Sequence, residues 1–375
     1  MEYKSFSLDF MSLGTYDMIT KYMKTSSTFF ICVLLLMGHF LIANINLAND
    51  GSMENQPLKY EWGLEEKTVK NEWGLEEQTP KHDKSDSIIL HYDGKAWDCI
   101  YNGHGIWLNS ICGFGENDIF AVGDNGVILH YDGNSWTKQE SNVTHRLNRI
   151  WGGSRDNVYI SGDYGTILHY NGTKWTKYNM MTNNWLSSTW GLNEKYIFVV
   201  GALGKILHYD GRKWKEQNSG TTSWLYGVRG NSKDNVYAVG DYGTVLHYNG
   251  KEWKKFVLNT NKRLMSVCVA GSNDVFVVGA DGLILHYDGI NWTRQRSGTN
   301  NWLRKIWSIE SNNIFAVGDY GTILHYDGTK WNKQKSGTNY LLFGIWGDRK
   351  DNIYVVGINS SSHYNHMLDV SYGAK

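Results

Sequence analysis

The sequence has only two prolines and four cysteines in 375 residues, and its charges cancel, with 37 Lys and Arg against 37 Asp and Glu. Each scarcity excludes something. With no net field of either sign, nothing draws the chain as a whole to nucleic acid or to an anionic membrane. Cys32 falls in an apolar run near the N-terminus, which leaves Cys99, Cys112 and Cys268, and three thiols do not make a disulfide framework. At 41% apolar and 20% charged residues the composition is that of a globular protein, so disorder is not its default state. Against the shortage of proline stand 41 Gly, 17 Trp and 24 Tyr. That mixture suits many short aromatic strands joined by glycine turns, and it argues all-β.

The run from Phe29 to Ala48 is apolar and comes after Lys21 and Lys24, the pattern of an export signal. Read from Met23, the segment has a basic start, an apolar stretch and a small residue, Ala48, where a peptidase cuts. Read from Met1, about twenty apolar residues are long enough to span a bilayer as a single anchor. His39 and two Asn interrupt the run and favour cleavage. Either way residues 1–48 form a signal peptide or membrane anchor, and the remainder of the chain is extracytoplasmic: secreted, periplasmic or anchored facing outward. Residues 49–86 are a polar linker in which EWGLEEKTVKN is copied as EWGLEEQTPKH, without strand alternation.

From there the chain is a repeat. The phrase Leu-His-Tyr-Asp/Asn-Gly occurs seven times, with its histidines at His91, His130, His169, His208, His247, His286 and His325, each 39 residues from the next. Loops tolerate length change, so six successive intervals without an insertion mean that every turn is held to one geometry. The copy at residues 301–335 reads as four strands: Leu303 to Trp307, Ile314 to Val317, Thr322 to Tyr326, and a fourth from Trp331. The connections are too short for crossover helices, so neighbours pair antiparallel. A four-stranded unit of this length is a propeller blade.

The fourth-strand tryptophans and first-strand leucines each number seven. The repeat opens on third and fourth strands at residues 88–101 and ends on a second strand, Ile353 to Val356, so the two termini complete one blade and leave no sheet edge open. The sequence therefore predicts an all-β, seven-bladed β-propeller over residues 87–358, with a C-terminal tail at 359–375. Eight blades are the alternative, because Trp73 shares the register of Cys112 and Ser362 to Tyr364 echo a third strand. The phrases GDYGTILHYDG and WNKQKSGT resemble bacterial BNR-like and YVTN-like (WD40-like) propeller repeats. Relatives of those repeats include the Asp-box sialidases and the photosystem II assembly factor propellers. The resemblance implies a fold and an exported or envelope-associated binding role. Here Asp327 is followed at once by Gly328, one residue tighter than an Asp box, so sialidase chemistry does not carry over.

The seven histidines are not a metal site. On third strands about 16 Å from the axis they stand roughly 14 Å apart, whereas metal ligands converge to about 2 Å from one ion. They are expected to hydrogen-bond within or between blades, and the fourth-strand tryptophans to pack between blades. No cofactor is expected. Cys112 and Cys268, also roughly 14 Å apart across the ring by the same spacing, exceed the reach of a disulfide, about 7 Å between Cα atoms.

An asymmetric site needs broken repeats, and the innermost strand breaks them most. Its opening position reads Trp107, Arg146, Trp185, Trp224, Arg263, Trp302 and Leu341. Five residues on, it reads Cys112, Trp151, Trp190, Arg229, Cys268, Trp307 and Trp346. Flat apolar rings beside planar donors suit a protein or carbohydrate partner, although such tryptophans also serve as packing beneath loops. The candidate ligand-binding residues are Trp107, Arg146, Trp185, Trp224, Arg229, Arg263 and Trp302. Arg229 stands out as a charge where other blades place Trp or Cys, and it needs a carboxylate, channel water or a ligand anion. The expected function is an exported, monomeric, non-enzymatic binding module. The alternatives are a glycosidase- or lyase-type enzyme and a purely structural envelope protein. A retaining glycosidase needs two carboxylates about 5 Å apart, and the non-repeat acids Glu116, Glu140, Glu194 and Glu310 suggest no pair.

Overall fold

Short apolar runs punctuated by Gly, Asn and Asp become strands, and a computed structural model describes residues 87–180 and 182–359. The strands assemble as seven four-stranded antiparallel sheets. Blades 1 to 7 are named by their first strands: Leu108–Gly113, Leu147–Ser154, Leu186–Asn193, Leu225–Ser232, Leu264–Gly271, Leu303–Glu310 and Leu341–Arg349. Each first strand contacts the first strand of the next blade, and that of blade 7 contacts blade 1, so the ring closes. Residues 1–86 and 360–375, with the signal or anchor, the linker, Trp73 and the Ser362–Tyr364 echo, lie outside the described residues. Within them the propeller has seven blades.

Blade 7 is built from both ends of the ring. Ser87–Tyr92 pairs with Asn352–Ile358 in antiparallel register, Ile89 opposite Val356 and His91 opposite Tyr354. Trp97–Gly103 adds the outer strand. In blade 6 the four strands are Leu303–Glu310, Asn313–Gly318, Ile323–Tyr326 and Trp331–Gln334. The first strand runs on past Trp307 to Glu310 because a bulge at Ser308/Glu310 carries the ladder to Asn313.

Second strands are apolar on both faces, as in IFAVG of blade 6, because each is covered by a blade on either side. Phe120, Phe198, Phe276 and Phe315 are almost wholly buried there. Each repeated histidine stacks on the aromatic ring that its second strand supplies, from His130 on Phe120 at 4.2 Å to His247 on Tyr237 at 4.6 Å. In six blades its Nε2 also bonds the side chain that starts that strand: Asn352, Asp118, Asn157, Asn235, Asp274 or Asn313, at 2.7–2.9 Å. Blade 3 has Tyr196 at that position, and the Nε2 of His208 has no partner there. The histidine bonds lie within blades.

The fourth-strand tryptophans link blades. The indole N–H of Trp97, Trp175, Trp253 and Trp331 donates to a glutamine of the preceding blade, at 2.7–3.2 Å. Where Tyr101, Tyr178 or Phe256 replaces that glutamine, Trp136, Trp214 and Trp292 meet an aromatic ring instead.

Candidate functional site

The opening residues are fixed by a turn in their own blade. Gly240 lets the turn approach the first strand so closely that a Cβ there would stand 2.0 Å from the carbonyl oxygen of Trp224. The next residue, Asp241, donates its N–H to that oxygen at 2.9 Å. The same bond recurs from Asp124 to Trp107, Asp163 to Arg146, Ala202 to Trp185, Ala280 to Arg263 and Asp319 to Trp302. One residue further on, the turn holds a side chain at positive φ: Tyr164, Leu203, Tyr242 and Tyr320 all lie between 53° and 56°. All four are exposed, Tyr242 at 74%. Bulky residues rarely take this conformation, which costs roughly 1–2 kcal/mol. With Trp185, exposed at 46%, they give this face a rim of apolar side chains.

Inside the rim, aromatic and basic groups run in a continuous arc from blade 3 to blade 7. Trp185 meets Trp224 edge to face at 5.3 Å, and Trp224 stacks on Tyr226 at 5.8 Å. The Arg263 guanidinium lies 5.1 Å from the Tyr226 ring and 5.6 Å from Trp302. Arg304 then lies 5.8 Å from Trp302 and 4.6 Å from Phe343. Such contacts hold planar groups in place without saturating their donors.

Blades 1 and 2 are different in kind. Arg146 pairs with Asp124 at 3.0 Å and donates to Asn109 at 2.9 Å, and Asn109 also donates to Asp124 at 2.7 Å. Asn148 donates to Asp163 at 2.8 Å, and burial pushes the Asp163 carboxyl up. Elsewhere Arg263 pairs with Asp241 at 2.6 Å, Tyr226 donates to the same carboxylate at 3.1 Å, and Arg304 pairs with Asp319. The turn carboxylates are thus occupied clamps that orient the opening residues. Arg146 is tied down, whereas Arg263 has both a carboxylate and two aromatic rings.

Arg229 lies elsewhere. It is five residues further along its strand than Trp224, roughly 16 Å at strand spacing, and faces a cavity of about 180 Å³ enclosed by the first strands. At its position Trp151, Trp190 and Trp346 press on a glycine of the next blade, Gly191, Gly230 and Gly113. After Arg229 that place holds Val269, which leaves no room for an indole. The guanidinium turns inward and lies 4.3 Å from the Trp307 ring. Arg149 and Lys305, each 9% exposed, line the same cavity. Among the described residues the hydrogen bond of the Arg149 guanidinium is a long one, to Ser110 Oγ at 3.3 Å. Burial, then mutual repulsion, lowers Arg149 to about 9 and Lys305 well below its ordinary range; burial lowers Arg229 to about 10.

The seven candidate residues therefore do not form one site. Trp185, Trp224, Arg263 and Trp302 join in the arc; Trp107 is half-buried at the opening of blade 1; Arg146 is clamped by Asp124 and Asn109; and Arg229 belongs to the channel. Sequence reasoning missed Arg149 and Lys305, although the repeat marks them: two residues after the first-strand leucine, the other five blades carry Ser110, Ser188, Gly227, Ser266 and Gly344. Cys112, which lines the same cavity, and Cys268 are free buried thiols, pushed by burial to about 12. Among the described residues no three His, Cys, Asp or Glu converge as a metal site.

This geometry defines a closed seven-bladed propeller with one asymmetric, aromatic-basic face and a cationic axial channel. Solved propellers share the fold. YCF48 from Cyanidioschyzon merolae superposes with a TM-score of 0.57 at 14% identity, over 71% of this chain and 99% of its own. YCF48 bound to D1 peptide gives 0.58 at 14% identity, over 75% and 94%. The chain is thus a β-propeller loosely similar to YCF48, a photosystem II assembly factor propeller. No protein-family profile and no curated protein matches the sequence.

Proposed function

We propose that this chain is an exported, non-enzymatic binding module that holds a protein partner on the face where the first strands open. The observation that carries this reading is the unbroken arc from Trp185 to Phe343, bordered by Tyr164, Leu203, Tyr242 and Tyr320 at positive φ. Positive φ under exposed bulky side chains costs the fold stability, and Trp, Tyr and Arg are the residues enriched where interfaces concentrate their energy. YCF48, with the same fold, is bound to D1 peptide in one solved structure, which favours a protein segment over a sugar. Engagement of the turn carboxylates by Asn, Tyr or Arg supports binding over acid–base catalysis.

A photo-crosslinking amino acid placed at Tyr242 and, separately, at Ile290 on an outer-strand turn tests the reading in envelope extract. Adducts of one protein formed from position 242 and absent from 290 support it. Equal labelling from both positions, or turnover in a glycosidase and lyase substrate panel, overturns it.

A further inference from the structure

We propose that the axial channel binds a small, multiply charged oxyanion of the phosphate or sulfate kind through Arg149, Arg229 and Lys305. The inference goes beyond the face reading and uses none of its residues. The three cations come from blades 2, 4 and 6, so they converge on the axis from three sides, two, two and three blades apart. No Asp or Glu lines the cavity they share, and among the described residues none stands within ion-pair distance of any of the three. The acids whose charge reaches the neighbouring thiols, Asp118 and Asp274, are already bonded to His130 and His286.

A cluster of like charges taken out of water is costly unless something compensates it. The other blades show that folding does not need it, because serine or glycine fills the positions of Arg149 and Lys305 in five of seven copies. The cluster is also prepared for a ligand. Trp307 holds the Arg229 fork in the channel, Ser110 steadies Arg149, and the buried Thr189 hydroxyl, which also lines the cavity, has no partner. Two guanidinium forks and an ammonium match the several oxygens of a tetrahedral anion, and three positive charges ask for more than one negative charge. Burial, joined at Arg149 and Lys305 by repulsion between the cations, holds all three groups below their ordinary values, as expected where no carboxylate stands beside them. A cavity of about 180 Å³ admits such an anion and excludes a folded partner.

The test is the melting temperature of the full chain titrated with sodium phosphate, sodium sulfate or sodium acetate, ionic strength held constant with sodium chloride. Phosphate and sulfate are expected to raise it by about 5 °C at a hundredfold excess over Kd, and acetate to leave it unchanged. The Arg149→Ser/Lys305→Ser variant, which carries at both positions the serine of blades 1, 3 and 5, loses the shift. Calorimetric titration of phosphate gives one site in the wild type and none in the variant. The proposal is overturned if phosphate and sulfate act no more than chloride, if acetate matches them, or if the variant keeps the full shift. A variant that loses phosphate but still crosslinks its partner from position 242 separates this site from the face.

Discussion

Trp97, near the start of the described chain, donates its indole N–H to Gln334, 237 residues away and 2.7 Å distant. The bond repeats those by which Trp175, Trp253 and Trp331 hold the blades before them. The junction between blades 6 and 7 is therefore made like the junctions inside the repeat, although blade 7 is assembled from both ends of the ring.

Deleting residues 340–375 removes both inner strands of blade 7 and leaves Ser87–Tyr92 with an unpaired edge. The truncated chain is expected to lose the cooperative melting transition, read by near-ultraviolet circular dichroism. A truncation that melts like the full chain would mean that the ring does not need its closing blade.

Acid destabilisation should trace to the third-strand histidines. Burial holds His169, His208, His247 and His325 below the ordinary value of about 6.5. The folded chain thus keeps them neutral while the unfolded chain takes up protons. Their contribution is complete above about pH 6.5 and is lost as pH falls through the lowered values. Urea denaturation between pH 7 and 5 should show stability falling, with a shallower slope in the His169→Gln/His247→Gln/His325→Gln variant. Equal slopes would contradict the assignment.

Much of the architecture was legible in the sequence. The constant 39-residue spacing carried strand order, blade number and the shared closing blade, because a closed ring of equal blades leaves one place for each strand. The sequence leaves the partner of the repeated histidine open between its own and a neighbouring blade; in five blades it is the Asn or Asp twelve residues earlier. The site was less legible. Whether Arg146 is free or clamped depends on Asp124 in the preceding blade, and the inward turn of Arg229 depends on Val269 in the next. Contacts between blades do not show in a pattern read along one blade.

The strained turns should separate stability from binding. Tyr242→Asn places at φ 56° the residue that blade 1 uses there, Asn125 at φ 54°. The variant is expected to gain about 0.5–1 kcal/mol in urea denaturation, because Asn tolerates the left-handed region. It should bind the partner more weakly. A loss of stability would show that the Tyr242 ring packs in the fold rather than serving the face.

The channel cations should weaken the ligand-free fold. Lys305→Ser removes a buried charge and is expected to stabilise the chain at pH 7 by about 1–2 kcal/mol in buffer free of phosphate and sulfate. As pH rises, the folded chain releases the Lys305 proton before the unfolded chain does, so the unfolded state binds more protons and the wild type gains stability. The gap between variant and wild type should therefore narrow toward pH 10. A gap that stays constant would mean that Lys305 is not the strained group.

The most direct measurement of the central claim is the affinity of the crosslinked partner for three full-length proteins: wild type, Trp185→Ala/Trp224→Ala, and Ile290→Ala. Loss of the two rings at one end of the arc is expected to weaken binding by about 2 kcal/mol or more, at least thirtyfold, while Ile290→Ala, at an exposed outer turn, binds like the wild type. If the double variant keeps wild-type affinity, the partner does not sit on the opening face.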